Sequence, residues 1–488
     1  MEEPSIKKNY IFNLVLQILF LIIPIITTPY TSRVLGADKI GDYSYYTSMV
    51  TYFSILAILG TSLYGQRQIA YNKNDIEKRS QDFWNTVAFR AITSVISLAL
   101  YFGYMIIFDT FNVVCLILSY NILNVIIDIT WFYQGMESFK TITFRNLFVK
   151  IVCTILIFVF VKEQNDLWIY VLIQGASTIV CGLILWPSLR KYVTFVKHVH
   201  PFNNFKDILL VFLPTIAIQV YTVLDKSMIG WITNSSYQNG CYDRAETIAK
   251  MCLTIVTAAG AVVLPRIANL HKNGNIEETK VYLYKTYRFI FFLAIPITFG
   301  LIAVSDKFIP IFLGEGYDDA ILLLKIFAPL VLFIGTAYIT GYTFLISINK
   351  QNIYTVSVTI AALLNLIMNL ILINFIGAIG AAISTLFAEA FGCIFQIVYC
   401  CKKKLLNLKE IFIPSWKYLI SGLVMFAVVI IENYFFNVSI IYLIIMVFSG
   451  IFTYGLFVLL LRDSFVVSQF NNVFSTLKSQ IFKRGEKQ

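Results

Sequence analysis

About fourteen helix-length apolar stretches follow one another along the 488 residues, and the loops between them alternate between basic and nearly uncharged. About 20 apolar residues at roughly 1.5 Å rise span a hydrocarbon core about 30 Å thick, and the helix satisfies its own backbone polar groups there. Spans are expected near 10–30, 43–64, 84–108, 111–132, 142–161, 168–189, 208–232, 246–264, 287–304, 321–346, 353–374, 379–399, 416–431 and 440–461. The fold class is therefore all-α and polytopic. With 58% hydrophobic residues, 13% charged residues and a mean hydropathy of +0.76, the chain has too little charge to coat a soluble protein of this length.

The net charge of +11 gains meaning from its placement. About 27 of the Lys and Arg residues fall on the side of the N-terminus, about five on the other side and about six within spans, so both termini are expected in the cytoplasm. Orientation and attraction to anionic lipid account for most of these residues, and nucleic acid is not implied. The first span has no small-residue cleavage site and exceeds the length of a signal-peptide core, so it is expected to persist. The eight cysteines lie mostly within spans, without disulfide or metal spacing, and Cys241 is expected to be the one outer-loop thiol.

Two basic breaks, 190–206 and 401–415, divide the spans six, six and two. The expected organisation is an N-terminal lobe (1–195), a cytoplasmic linker (196–206), a C-terminal lobe (207–404), two further helices (405–463) and a basic amphipathic tail (464–488). The tail's apolar face would comprise Phe470, Val473, Phe474, Leu477 and Ile481. After span one the chain reads Gly36-Ala-Asp-Lys-Ile-Gly41-Asp-Tyr43, and after span seven Ser236-Tyr-Gln-Asn-Gly240-Cys-Tyr242. Similar wording in two outer loops points to a parallel internal repeat, with a cavity between the lobes. No outer loop exceeds roughly 16 residues, too few for a folded external domain.

No phosphate-binding or dinucleotide glycine motif occurs, and His198, His200 and His271 all lie in basic loops, so catalysis and metal binding have no support. Ionisable residues within spans carry more information, because a central charge costs about 2.5 to 3.5 kcal/mol even on insertion scales. Arg90, Arg145, Lys150 and Asp128 cluster in the cytoplasmic half of the first lobe, and Asn121, Asn124 and Asp128 fall on one helical stripe. Asp225 and Lys226 end the seventh apolar run, while Glu246 and Lys250 at i, i+4 would form a salt bridge. Glu389, the deepest acid, shares a stripe with Thr385, Cys393 and Gln396, and Asn365 and Asn369 sit one turn apart on span eleven.

Thr28-Pro29-Tyr30-Thr-Ser32-Arg33-Val-Leu35-Gly36 with Gly41 and Tyr43 resembles the end of the first span in Wzx-type oligosaccharide flippases, the polysaccharide-export branch of the multidrug/oligosaccharidyl-lipid/polysaccharide (MOP) exporter superfamily. Asp225-Lys226-Ser-Met228-Ile-Gly230, Gly240-Cys-Tyr242-Asp-Arg-Ala245, Leu264-Pro265-Arg266, Leu313-Gly314-Glu-Gly-Tyr317 and the pair Asn365–Asn369 with Gly377-Ala-Ile-Gly380 match further segments in order. Thr247 stands where the family usually has a lysine, with Lys250 nearly one turn further on.

The resemblance implies a transporter that moves an undecaprenyl-diphosphate-linked oligosaccharide from the inner to the outer leaflet for a capsule, exopolysaccharide or similar surface polymer, beside polymerase or other assembly proteins. Such a substrate demands a polar, cationic cavity while its tail stays among membrane lipids. Arg90, Lys150, Lys226 and Lys250 are the candidates for the diphosphate, and Asn121, Asn124 and Asn365 for sugar hydroxyls. Asp128, Asp225, Glu246 and Glu389 are candidates for a coupling Na+ or H+, with no other cofactor implied. Rocking of the two lobes, helped by bends at Pro24, Pro29, Pro214, Pro265 and Pro296, would alternate access, and spans thirteen and fourteen would hold the lipid tail. A cation-coupled drug exporter of the same superfamily and a lipid II flippase are the rivals. A polymerase or ligase would need larger outer loops.

Overall fold

The computed structural model describes residues 6–463, 465 and 466. All regular structure among them is helical. The first six helices are α1 (Ile6–Ile58), α2 (Thr61–Tyr71), α3 (Ile76–Ile107), α4 (Val113–Leu118), α5 (Tyr120–Ile127) and α6 (Thr130–Gly135). There follow α7 (Phe139–Phe160), α8 (Leu167–Leu183), α9 (Trp186–Leu189), α10 (Phe205–Thr233), α11 (Ser236–Lys272) and α12 (Ile276–Phe312). The last six are α13 (Asp318–Phe327), α14 (Leu330–Ala337), which continues into the π-helical turns Tyr338–Leu345, α15 (Gln351–Lys402), α16 (Leu408–Phe412), α17 (Trp416–Phe435) and α18 (Ile440–Leu460).

Ten segments among the described residues are long and apolar enough to cross a membrane. One of them, 351–402, holds two expected spans, 22–71 holds the second expected span and the end of the first, and α10 and α11 overlie the seventh and eighth. Large apolar side chains that a soluble protein would bury point outward along these helices. Phe148, Phe387, Phe448 and Phe452 are all more than half exposed, as hydrocarbon contact requires.

Three segments read from the sequence as breaks between spans, around Gly36, Gly377 and residues 236–242, prove to be helical. Gly36 (φ 76°, ψ 169°) bends α1 and lets the helix resume at once, and Gly377 (φ 56°, ψ −136°) does the same in α15. Residues 236–242 form the first turns of α11, so Cys241 is fully buried in a helix instead of standing in a loop. The two similar segments pack against each other. A Cβ on Gly41 would strike the Ser236 carbonyl, and one on Gly240 would strike that of Ala37. Close backbone approach of this kind is how helices associate where lipid removes the hydrophobic drive.

By contact density the chain forms two compact units, residues 1–243 with 369–378, and residues 244–368 with 379–488. These boundaries differ from the six, six and two grouping of spans, because α10 and the start of α11 make their contacts within the first unit. The core of the first unit joins α1, α3, α4, α5, α7 and α8 through Leu35, Ile40, Val50, Tyr101, Ile122 and Ile157. A second cluster, rich in aromatic rings, lies at its basic end around Phe83, Trp131, Phe132 and Tyr133. In the second unit, α12 packs on α17 and α18 through Tyr287, Ile295, Tyr418, Met425 and Met446. Apart from residues 465 and 466, the expected amphipathic tail lies outside the described residues.

Replacing Gly240 with Val should lower thermal stability in detergent by about 1 to 3 kcal/mol through overpacking. Gly103→Ala, where nothing lies within 4 Å of an added Cβ, should leave the melting temperature equal or slightly higher.

Candidate functional site

The fourth span is not one helix. It breaks at Ser119 and again at Asp128, whose extended backbone (φ −76°, ψ 108°) ends α5. Asp128 therefore leaves the stripe expected to join it to Asn121 and Asn124. Its Oδ1 accepts from the Thr130 backbone N–H (3.1 Å) and from the Thr130 hydroxyl, holding the turn into α6.

A break inside a span exposes carbonyls that no water can reach. Arg90 answers it. Its Nη1 donates to the carbonyls of Val125 (3.2 Å) and Asp128 (2.9 Å), Nε to Thr61 Oγ1 (2.8 Å) and Nη2 to Ser62 Oγ (2.7 Å). The guanidinium lies 5.3 Å from the centre of the Trp131 ring, and only 2% of the residue is exposed. Trp186 Nε1 takes the Ile127 carbonyl at 2.8 Å. Arg90 is thus the framework of a broken helix, with four of its five N–H groups committed. Arg145 is held similarly, donating to the Cys181 carbonyl (2.8 Å) and to Asn146 Oδ1 (2.7 Å).

Lys150, one and a half turns beyond Arg145 on α7, differs. It is half-buried, and among the described residues its ammonium makes no hydrogen bond or ion pair. In the same unit the buried Oδ1 of Asn124 also has no partner among the described residues, while the Asn121 amide donates to the Leu118 carbonyl (3.1 Å). This unit therefore combines a free cation and an open acceptor with a framework already satisfied.

The acids divide similarly. Asp225, 7% exposed, accepts from the Tyr242 hydroxyl (2.6 Å) and the Asn369 amide (2.6 Å). Its neighbour Lys226 pairs with Asp243 at 2.6 Å, and Ser44 donates to the same Asp243 oxygen at 3.2 Å. In the second unit Glu246 and Lys250 form the expected bridge at 2.6 Å. The Glu246 side chain is 9% exposed and that of Lys250 54%, so the carboxylate is fixed while the ammonium reaches out. Asn365 donates to Thr385 Oγ1 (3.2 Å) with both side chains buried, a link between the two halves of α15. Glu389 is half-buried beside Tyr354 and Cys393.

With this geometry in view, the likeness to known proteins is informative. The family model for "Polysaccharide biosynthesis protein" matches residues 6–271, more than half of the chain. The chain belongs to the polysaccharide biosynthesis protein family. The model for "Lipid II flippase MurJ" matches residues 146–462, and with the transporter and flippase relatives it indicates a transporter rather than an enzyme. A "Putative O-antigen transporter" of Escherichia coli is 23% identical over 82% of this chain and 98% of its own. A "Probable low-salt glycan biosynthesis flippase" of Haloferax volcanii is 24% identical over 47% of this chain and 48% of its own. The lipid II flippase MurJ in an inward closed conformation shares the fold, with a TM-score of 0.76 at 17% identity, over 94% of this chain and all of that one.

The family motif residues have structural work in this polysaccharide biosynthesis protein. Pro29 lies inside α1 and Gly36 bends it, while Arg33 is exposed. Gly230 gives way to the Tyr45 ring, which an added Cβ would strike, and Pro265 falls within α11. Sequence reasoning missed Asp243, Tyr242 and Ser44 as partners, because residues 17 positions or more apart share no periodic signal.

Arg90→Gln should cost about 2 to 5 kcal/mol, since it strands the Val125 and Asp128 carbonyls in a dry interior. Lys150→Gln should leave the melting temperature unchanged or higher. Thermal unfolding of the two variants in the same detergent checks the contrast.

Proposed function

We propose that the protein flips a lipid-linked oligosaccharide, joined to undecaprenyl diphosphate, by an alternating-access cycle that opens its polar site to one side of the membrane at a time. The observation that carries this reading is Lys150, a cation kept in an apolar helix with no counter-charge paired to it among the described residues. A lone charge there has an insertion cost of about 2.5 to 3.5 kcal/mol, which an anionic passenger offsets during the cycle. A diphosphate supplies that anion, and the open Asn124 acceptor suits a sugar hydroxyl. The names of the O-antigen transporter and the glycan flippase support the same class of cargo.

In this reading the basic loops face the cytoplasm beneath the cell membrane, and the glycan is delivered to assembly enzymes on the far side. In the second unit Lys250, anchored by Glu246, keeps an exposed ammonium. Lys226, Asn121 and Asn365 have partners already and take part only if those bonds open. Asp225, deeply buried and held by the Tyr242 hydroxyl and the Asn369 amide, is the proposed coupling carboxylate for Na+ or H+.

Leaflet-selective labelling of extracted lipid-linked oligosaccharide in cells with and without the protein tests the reading. Build-up in the inner leaflet, relieved by the intact protein, is expected. Lys150→Gln should lower flipping about tenfold, the loss of about 1.4 kcal/mol of anion stabilisation, with normal membrane abundance and partial rescue by Lys150→Arg. Normal leaflet distribution with altered drug or cation efflux would overturn the assignment. In proteoliposomes, Asp225→Asn should abolish the response of transport to an imposed Na+ or pH gradient.

A further inference from the structure

A cavity of about 590 Å³ opens in the second unit where the first turns of α12, the end of α15 and α16 meet. It is lined by Lys280, Tyr284, Lys404, Asn407 and Lys409 together with the carboxylates Glu277 and Glu410. This is the end of the unit that carries the basic loops, and the cavity's volume lies in the range of small-molecule sites, about 300 to 1,000 Å³. The transport reading makes no use of it.

The carboxylates are engaged. Glu277 accepts from Lys280 at 3.0 Å, and Glu410 accepts from the Asn407 amide at 3.3 Å. Lys404 and Lys409 have no hydrogen-bond or ion-pair partner for their ammonium groups among the described residues. Two free cations therefore line one polar cavity.

Lys404 also stands in an unusual place. The end of α15 closes in a Schellman motif, with the Lys404 N–H on the Cys401 carbonyl (3.0 Å) and the Leu405 N–H on that of Cys400 (2.9 Å). Lys404 occupies the left-handed position of that motif, at φ 57°, where glycine is favoured. A side chain at this strained position points to a use for its charge.

The rim supplies the second half of the recognition. Leu408, Phe412, Ile413 and Trp416 are 44 to 60% exposed on α16 and the start of α17, an apolar edge with a tryptophan of the type that settles at membrane interfaces. We propose that this cavity binds the phosphate of an acidic membrane phospholipid, with Lys404 and Lys409 on the headgroup and the α16 edge along its acyl chains. Basic pockets between helices on the cytoplasmic side are suited to such headgroups. The chemistry selects a phosphate anion, and the apolar rim selects one carried on a lipid.

Native mass spectrometry of the full-length protein in detergent, titrated with phosphatidylglycerol or phosphatidylcholine, tests the site. Phosphatidylglycerol should bind more tightly than phosphatidylcholine, and Lys404→Gly and Lys409→Gln should each weaken it about fivefold. Lys404→Gly suits the backbone at that position, so folding is preserved, and Lys350→Gln, a lysine lost elsewhere at the same end, should leave binding unchanged. Equal binding of the two lipids, or full binding by the double variant, would overturn the proposal. Displacement of the acidic lipid by inorganic phosphate at low millimolar concentration would assign the site to a soluble anion and overturn the lipid part.

Discussion

Arg90 closes the break in the fourth span, and much of the first unit depends on that closure. In hydrocarbon a carbonyl released from its helix finds no water, so each departure from regular helix needs a protein donor. Arg90 and Trp186 supply donors from α3 and the start of α9, tying two separate stretches to one bend. The same requirement accounts for Lys307, which donates to the Phe436 carbonyl where the chain leaves α17.

Cations inside this membrane protein therefore fall into two kinds. Arg90 and Arg145 spend their planar forks on carbonyls and neighbouring side chains, a use to which guanidinium geometry is suited. Lys150 is a point charge on a flexible stem with no hydrogen-bond or ion-pair partner among the described residues, which suits a partner that arrives and leaves. Lys226 and Lys250 lie between these kinds, each paired with a carboxylate, one nearly enclosed and the other open to exchange.

Helix count and the places of most intramembrane charges were legible from composition and periodicity, because the length of a span and the cost of a buried charge are local properties. The Glu246–Lys250 bridge was legible for the same reason, as neighbours on one helix face. The breaks were not. Little in the run around Asp128 departs from a helical pattern, and the donor that satisfies the released carbonyls is an arginine 38 residues earlier in the chain. Likewise Gly36 and Gly41 read as loop residues, yet one bends a helix and the other lets two helices touch.

By itself the sequence determined that this chain is an all-helical, polytopic membrane protein and which few ionisable residues lie within its apolar runs. Those properties depend on counting apolar residues and on their spacing. Tertiary structure decided which of those residues are free. Arg90 and Lys150 are equally improbable in hydrocarbon, but only the fold brings broken-helix carbonyls to the first and leaves the second without a partner among the described residues. That choice rests on contacts between distant segments, which no local pattern encodes.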